Sequence, residues 1–180
     1  LPGTHPTKGS YFTRGTTRDP YARYSERGAD YMYNMDRLQK KFKTAAQIVP
    51  APVLRKSHKP SKIGVIYYGS TSPSMLEAFE LLEKEGIHLN GLRLRAFPFA
   101  DVVEEFIHDQ DLVFVVEQNR DAQMRTLLIN ELEIDPAHLI KVLHYDGTPI
   151  TARFIHAAIR DRLKQNDSPK KTSKKSKELA

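Results

Sequence analysis

The sequence contains no cysteine. That excludes disulfides, thiolate catalysis, cysteine-ligated zinc and an iron–sulfur cluster held by this chain, and it points to a soluble protein of a reducing compartment, the cytoplasm. Long apolar runs are also missing. No stretch approaches the ~20 residues that a membrane-spanning helix needs, and no basic-then-apolar leader opens the chain. Metal and phosphate signatures are absent too. The seven histidines, His5, His58, His88, His108, His138, His144 and His156, are scattered without a spacing such as HExxH, so no metal site is expected. Neither a Walker lysine nor a GxGxxG pattern is present. Nucleophile-elbow serines are lacking as well, so the polar turn at His144–Asp146 has no partner for acid–base work and reads as a turn into the last helix. Organised positive charge is missing despite a formal net charge of +6. Five lysines against Glu178, all beyond Asp167, hold four of those six charges and leave two for the rest. A nucleic-acid function loses its electrostatic basis.

What is present is a regular alternation after an irregular start. Residues 1–34 hold four of the nine glycines, with aromatics crowded between Tyr11 and Tyr33 and no apolar period. They read as irregular backbone pinned to a surface elsewhere. Lys8, Arg14, Arg18 and Arg23 within them suit either an anionic group or cation–π contacts in a clasp between domains. Met35, Leu38, Phe42 and Ala46 fall on one face of a short helix over 35–47. Pro50, Pro52 and Pro60 punctuate a connector, with Val53–Arg55 as a candidate edge strand. The chain opens on Leu1 in loop-like sequence, and we expect a segment of a longer polypeptide.

From Ile63 onward strand and helix alternate four times. Continuous apolar runs at Ile63–Tyr68 and Leu112–Glu117 predict central strands, and Leu92–Ala96 and Leu139–Leu143 predict two more. Helices are expected at 73–85, 101–106, 122–131 and 151–163, with Ser72 capping the first of them. This alternation predicts a three-layer α/β fold, an open, mostly parallel sheet with helices on both faces. Placing the two most apolar strands side by side gives the order second, first, third, fourth. A topological switch point then lies between the first and third strands, where ligands of open α/β sheets bind. Two loops wall it. Gly69-Ser70-Thr71-Ser72 resembles a phosphate-cradling turn or a helix cap. Glu117-Gln118-Asn119-Arg120-Asp121 reads as a binding or interface loop, or as capping by Asn119 or Asp121 plus internal charge pairing. The candidate crevice or interface residues are Ser70, Thr71, Glu117, Asn119, Arg120, Arg14 and Arg18.

The segments GTHPTKGSYFTRGTTRDPYARYSE, IGVIYYGSTSPSM, LRLRAFPF, VFVVEQNRDAQMRTLL and LHYDGTPITARF, in this order, closely resemble the C-terminal part of the α subunit of 2-oxoacid:ferredoxin oxidoreductases, in its fused long form for 2-oxoglutarate. The resemblance spans Leu1–Leu163. It implies that residues 1–50 leave a pyrimidine-binding domain. Residues 51–165 would form a transketolase C-terminal-like domain, of the kind called domain II in pyruvate:ferredoxin oxidoreductase, and residues 166–180 a disordered lysine-rich tail. It further implies oxidative decarboxylation of a 2-oxoacid with coenzyme A, giving acyl-CoA, carbon dioxide and reduced ferredoxin. Thiamine diphosphate, magnesium and an iron–sulfur cluster would be present in the full complex and none bound by this segment alone. The partners implied are a β subunit, ferredoxin and coenzyme A, with no nucleic acid or membrane. The diphosphate-binding GDG motif of that family is absent here, so the resemblance carries over no catalytic residue. The rival reading is a stand-alone α/β binding or interaction module using the crevice at Gly69 and Glu117.

Overall fold

The computed structural model describes residues 5–8 and 17–167. Tyr11, Phe12, Arg14 and the lysine-rich residues 168–180 lie outside them. The chain divides into two compact units, one holding residues up to Pro50 with Phe97–Ala100, the other Ala51–Ala96 with the rest from Asp101.

In the first unit the backbone turns at Asp19, whose carboxylate accepts from the amides of Tyr21 and Arg23, both at 2.9 Å. An isolated bridge joins Arg18 to Tyr24. Helix α1 spans Gly28–Ala46, so it begins seven residues before the apolar period predicts. The reason is Asp30 in its first turn. Its carboxylate takes Ser25 Oγ and a two-pronged fork from Arg27, which fixes the helix entry without any apolar repeat.

The second unit contains β1 (Val53–Arg55), β2 (Ile63–Tyr68), α2 (Ser72–Lys84), β3 (Asn90–Leu94), α3 (Asp101–His108), β4 (Leu112–Glu117), α4 (Gln123–Leu132), β5 (Leu139–Leu143) and α5 (Ala152–Asp167). The five strands form one sheet in the order β1-β3-β2-β4-β5. β2 pairs in parallel with β3 and β4, β4 in parallel with β5, and β1 antiparallel with β3. The expected order holds, and Val53–Arg55 is the edge strand. α5 continues to Asp167, two residues into the stretch read as tail.

Period-two alternation divides the core. Val65, Tyr67, Phe114, Val116 and Val142 face α2 and α5 through Met75, Ala78, Phe79, Leu82, Ile155 and Ile159. The alternate residues Ile66, Val113 and Val115 are equally inaccessible. Gly64, on their side of β2, lies against Phe106 of α3. The result is an α/β fold of three layers, an open and mostly parallel sheet between helices. Leu76, placed beside the apolar stripe of α2, is instead 53% exposed.

Two substitutions test this packing. Val115→Asp places an unpaired carboxylate in a fully buried central strand and is expected to cost several kcal/mol, on the order of a domain's whole stability. Loss of the soluble, cooperatively unfolding protein is the expected outcome of a urea titration, and a wild-type transition midpoint would contradict the sheet order. A Cβ at Gly91 would lie 2.7 Å from the buried Phe79 ring, so Gly91→Ala is expected to lower stability by about 1–3 kcal/mol in thermal unfolding. Gly28→Ala, where a Cβ meets open space, is the control that should change little.

Candidate functional site

The polar crevice lies where strand order reverses, between the carboxyl ends of β2 and β4. β2 runs directly into a 3-10 turn, Gly69–Thr71, that feeds α2. Gly69 adopts φ +55, a conformation that a residue with a Cβ enters only with strain. Ser72 is therefore the first residue of α2 and not its cap. The N-cap position belongs to Thr71, whose side chain makes no capping bond.

The hydroxyls of Ser70 and Thr71 turn across the crevice instead. Gln118 Nε2 donates to Ser70 Oγ at 3.0 Å and to Thr71 Oγ1 at 3.2 Å. Gln118 Oε1 accepts from the amide of Ile150 at 3.3 Å, just before α5. One amide side chain thus ties together the turn after β2, the loop after β4 and the approach to α5.

Glu117 is completely inaccessible at the last position of β4. Its Oε2 accepts from the Met124 amide at 2.7 Å and from Asn119 Nδ2 at 2.8 Å, and its Oε1 accepts from the Arg125 amide at 2.9 Å. Tyr68 donates to Oε2 at a longer 3.4 Å. Burial, and then the charge of Glu117, push the Tyr68 phenol above its ordinary range, while the bond from Asn119 pulls it down.

These bonds settle the backbone accounting of α4. The residue at its N-cap position, Ala122, is left-handed at φ 52 and makes no capping bond. Asn119 Oδ1 accepts from the amides of Gln123 and Asp121, and Glu117 takes the next two donors of the helix. The first turn is thereby satisfied by residues four to eight positions upstream, and a carboxylate sits against the positive end of the helix. Asn119 caps as expected, but Asp121 does not. Asp121 receives the guanidinium of Arg120 at 2.7 Å, both side chains being exposed at the loop tip.

The crevice therefore brings together Ser70, Thr71, Glu117 and Asn119, with Arg120 at its rim turned to solvent. Arg18 belongs to the other unit, where its Nη1 donates to Ala22 O at 3.5 Å. Arg14 lies outside the described residues. Arg23 lies over the Tyr21 ring at 5.5 Å, a contact within its own segment and not the clasp to another domain that was expected, and Tyr21 itself is 68% exposed. Two residues that organise the crevice are not among the candidate residues read from the sequence: Gln118, named there only as part of its loop, and Tyr68. The alternation of β2 and β4 signals only that these residues sit at strand ends.

The His144 turn is closed locally. Asp146 accepts from the amide and hydroxyl of Thr148, which hold its carboxyl below the usual range, and Gly147 takes φ +88. His144 stacks edge-on against Phe154 at 4.9 Å. The described residues contain no cluster of three or more His, Asp or Glu able to hold a metal ion, and no helix among them is long and apolar enough to cross a membrane.

No family model matches the chain. It is 27% identical over 158 residues, 85% of its own length, to the α subunit of 2-oxoacid:ferredoxin oxidoreductase 2 from Aeropyrum pernix. It is also 27% identical over 155 residues to the 2-oxoacid:ferredoxin oxidoreductase α subunit of Saccharolobus solfataricus, covering 84% of its length. The chain spans about a quarter of each of these relatives, 24% and 23%. Among solved structures, 90% of the chain superposes on 28% of a chain of the 2-oxoglutarate:ferredoxin oxidoreductase of Magnetococcus marinus, which was solved with 2-oxoglutarate, coenzyme A and succinyl-CoA bound. The TM-score is 0.75 and the identity 19%. A split-gene transketolase, an inactive β4 tetramer, matches 63% of this chain and 41% of its own at a TM-score of 0.52 and 22% identity. Both likenesses establish the fold, which is transketolase C-terminal-like.

The capping role of Glu117 separates it from Arg120. Glu117→Ala leaves the Met124 and Arg125 amides buried without an acceptor and is expected to cost about 2–3 kcal/mol. Arg120→Ala removes an exposed neighbour pair and should stay within about 0.5 kcal/mol. Urea denaturation of both variants measures the contrast, and equal effects would contradict the assignment.

Proposed function

We propose that this chain is part of the α subunit of a thiamine-diphosphate-dependent 2-oxoacid:ferredoxin oxidoreductase and serves there as an architectural, non-catalytic segment. The observation that carries this reading is the continuous similarity to two such α subunits over more than four-fifths of the chain, in both compact units. The motif resemblance reaches the same family by a separate route. Similarity to the fused long form favours 2-oxoglutarate as the 2-oxoacid. The whole enzyme would convert it with coenzyme A to succinyl-CoA and carbon dioxide and pass two electrons to ferredoxin. The iron–sulfur cluster would be held outside this segment, on this reading by a β subunit, since a segment without cysteine offers no thiolate to ligate one.

The described residues do not fit thiamine diphosphate. The cofactor needs its diphosphate anchored through a metal and a carboxylate directed at its aminopyrimidine. No metal-ligand cluster is present among the described residues. The one carboxylate buried at the crevice, Glu117, is committed to two backbone amides and Asn119. No chemical step is assigned to this segment. Its place in the enzyme, on this reading, is to shape an interface between domains or subunits, and the exposed Tyr21, Tyr24, Tyr31 and Phe42 suit that role.

Two measurements test the proposal. Calorimetric titration of the purified chain with thiamine diphosphate and magnesium is expected to give no binding heat, and the chain alone should not reduce a viologen dye from 2-oxoglutarate and coenzyme A. Native purification from the source should recover the chain in a complex with the visible absorption of an iron–sulfur cluster and that viologen-reducing activity. Micromolar cofactor binding by the chain alone would overturn the non-catalytic assignment, and purification as a colourless, inactive single species would overturn the enzyme assignment.

A further inference from the structure

The face of the sheet that carries α2 ends in an unusual corner at β1. Register places Tyr67, Arg93 and Val53 in one cross-strand row, and Arg55 lies two residues along β1 on the same face. Arg55 is held firmly. Its Nη2 donates to Glu83 at 2.9 Å and its guanidinium lies 4.1 Å from the centre of the Phe79 ring. Its Nη1 is buried with no hydrogen-bond partner. Arg93 is half-buried, its Nε is shielded from solvent without an acceptor, and it makes no ion pair among the described residues. Tyr67 is 3% exposed, and no hydrogen bond engages its hydroxyl among the described residues.

Two guanidinium nitrogens, Arg55 Nη1 and Arg93 Nε, are thus buried without acceptors on the face that also carries Tyr67. The neighbouring carboxylate cannot supply them. Glu83 is already shared between Arg55 and His58, the latter at 3.8 Å. The charge of both arginines reaches the Tyr67 phenol and opposes the upward push of its burial. The corner is accessible from outside, since Val53 is 48% exposed and Arg93 half-buried. Buried guanidinium donors favour an acceptor-rich anion, which they grip through paired N–H groups, and a phenol hydroxyl adds a third donor.

We propose that this corner is an oxyanion site, in which Arg93 and the Tyr67 hydroxyl, with the free Nη1 of Arg55 beside them, receive a carboxylate or a phosphoryl group. The ligand chemistry is that of a small anion with at least two acceptor oxygens. Arg55 is a binding residue whose Glu83 and Phe79 contacts hold its charge in place. The site is separate from the crevice at Glu117 and does not depend on the enzyme assignment above.

The test is a side-chain NMR titration of the full chain with inorganic phosphate and, in parallel, with acetate, following the Arg55 and Arg93 Nε–H signals. A saturable shift at both signals is expected, with half-saturation in the millimolar range, about 1–10 mM. Arg93→Gln should abolish the shift at Arg55. Tyr67→Phe, which keeps the ring packing, should weaken binding about tenfold, as the loss of one hydrogen bond to a charged group implies. Arg162→Gln, an exposed arginine elsewhere, should leave the titration unchanged. Preference for phosphate over acetate would identify a phosphoryl ligand, and the reverse a carboxylate. Linear, non-saturating shifts with both anions, or an Arg55 shift that survives in Arg93→Gln and Tyr67→Phe alike, would overturn the proposal.

Discussion

The carboxylate of Glu117 is the constraint on which the carboxyl end of the sheet depends. A charge with no solvent access at the end of a central strand is costly unless every lone pair is engaged. Here two backbone amides of α4 and the Asn119 side chain engage it, so the charge that would destabilise the core instead anchors a helix. Because Ala122 at the start of α4 is left-handed and lacks a capping atom, the helix has no local means of satisfying its first turn. The strand end and the helix start therefore specify one another. β4 also carries the pairing with β2 on one side and β5 on the other, so the same residue ties the sheet to the layer outside it.

This arrangement changes what the switch-point crevice is for. In open α/β sheets, such a crevice commonly receives a ligand, with loop side chains left free to meet it. In this chain Gln118 donates to both Ser70 and Thr71 across it and also accepts from the amide of Ile150. The polar groups there link three segments of the protein. The loop is better described as a clamp among β2, β4 and α5 than as an open cradle.

The first unit has the opposite character. α1 leaves Tyr31, Met32, Tyr33, Met35, Leu38 and Phe42 exposed, although Met35, Leu38 and Phe42 keep the spacing of a buried helical stripe. Its fixed points are polar, at Asp19 and Asp30, and sit at the turn and the helix start. A helix of this length with so much apolar surface outward is marginal without a partner surface, since packing of the apolar face supplies most helical stability in proteins.

Much of the second unit was legible in the sequence because its periods are strong. Six-residue apolar runs bounded by turn signals suit strands buried on both faces, as at Ile63–Tyr68 and Leu112–Glu117; alternation with helices pointed to a parallel sheet, and setting those two runs side by side gave its strand order. The early start of α1 was not legible, because a carboxylate–arginine fork at Asp30 begins it and not an apolar repeat. The crevice loop was legible in position but not in role. Glu117, Gln118 and Asn119 announced a polar cluster after a central strand, and only the folded chain showed that Glu117 caps α4 and Gln118 spans to Ser70, Thr71 and Ile150. Those partners lie up to 48 residues apart along the chain in Gln118–Ser70, and the period of a sequence carries no information about hydrogen bonds closed over such distances. The same holds for Tyr67, Arg93 and Arg55, which three strands bring to one face. Composition and periodicity determined which elements form, because burial acts residue by residue. Tertiary structure alone decided which polar groups meet, because hydrogen bonds need partners placed to within a few tenths of an ångström.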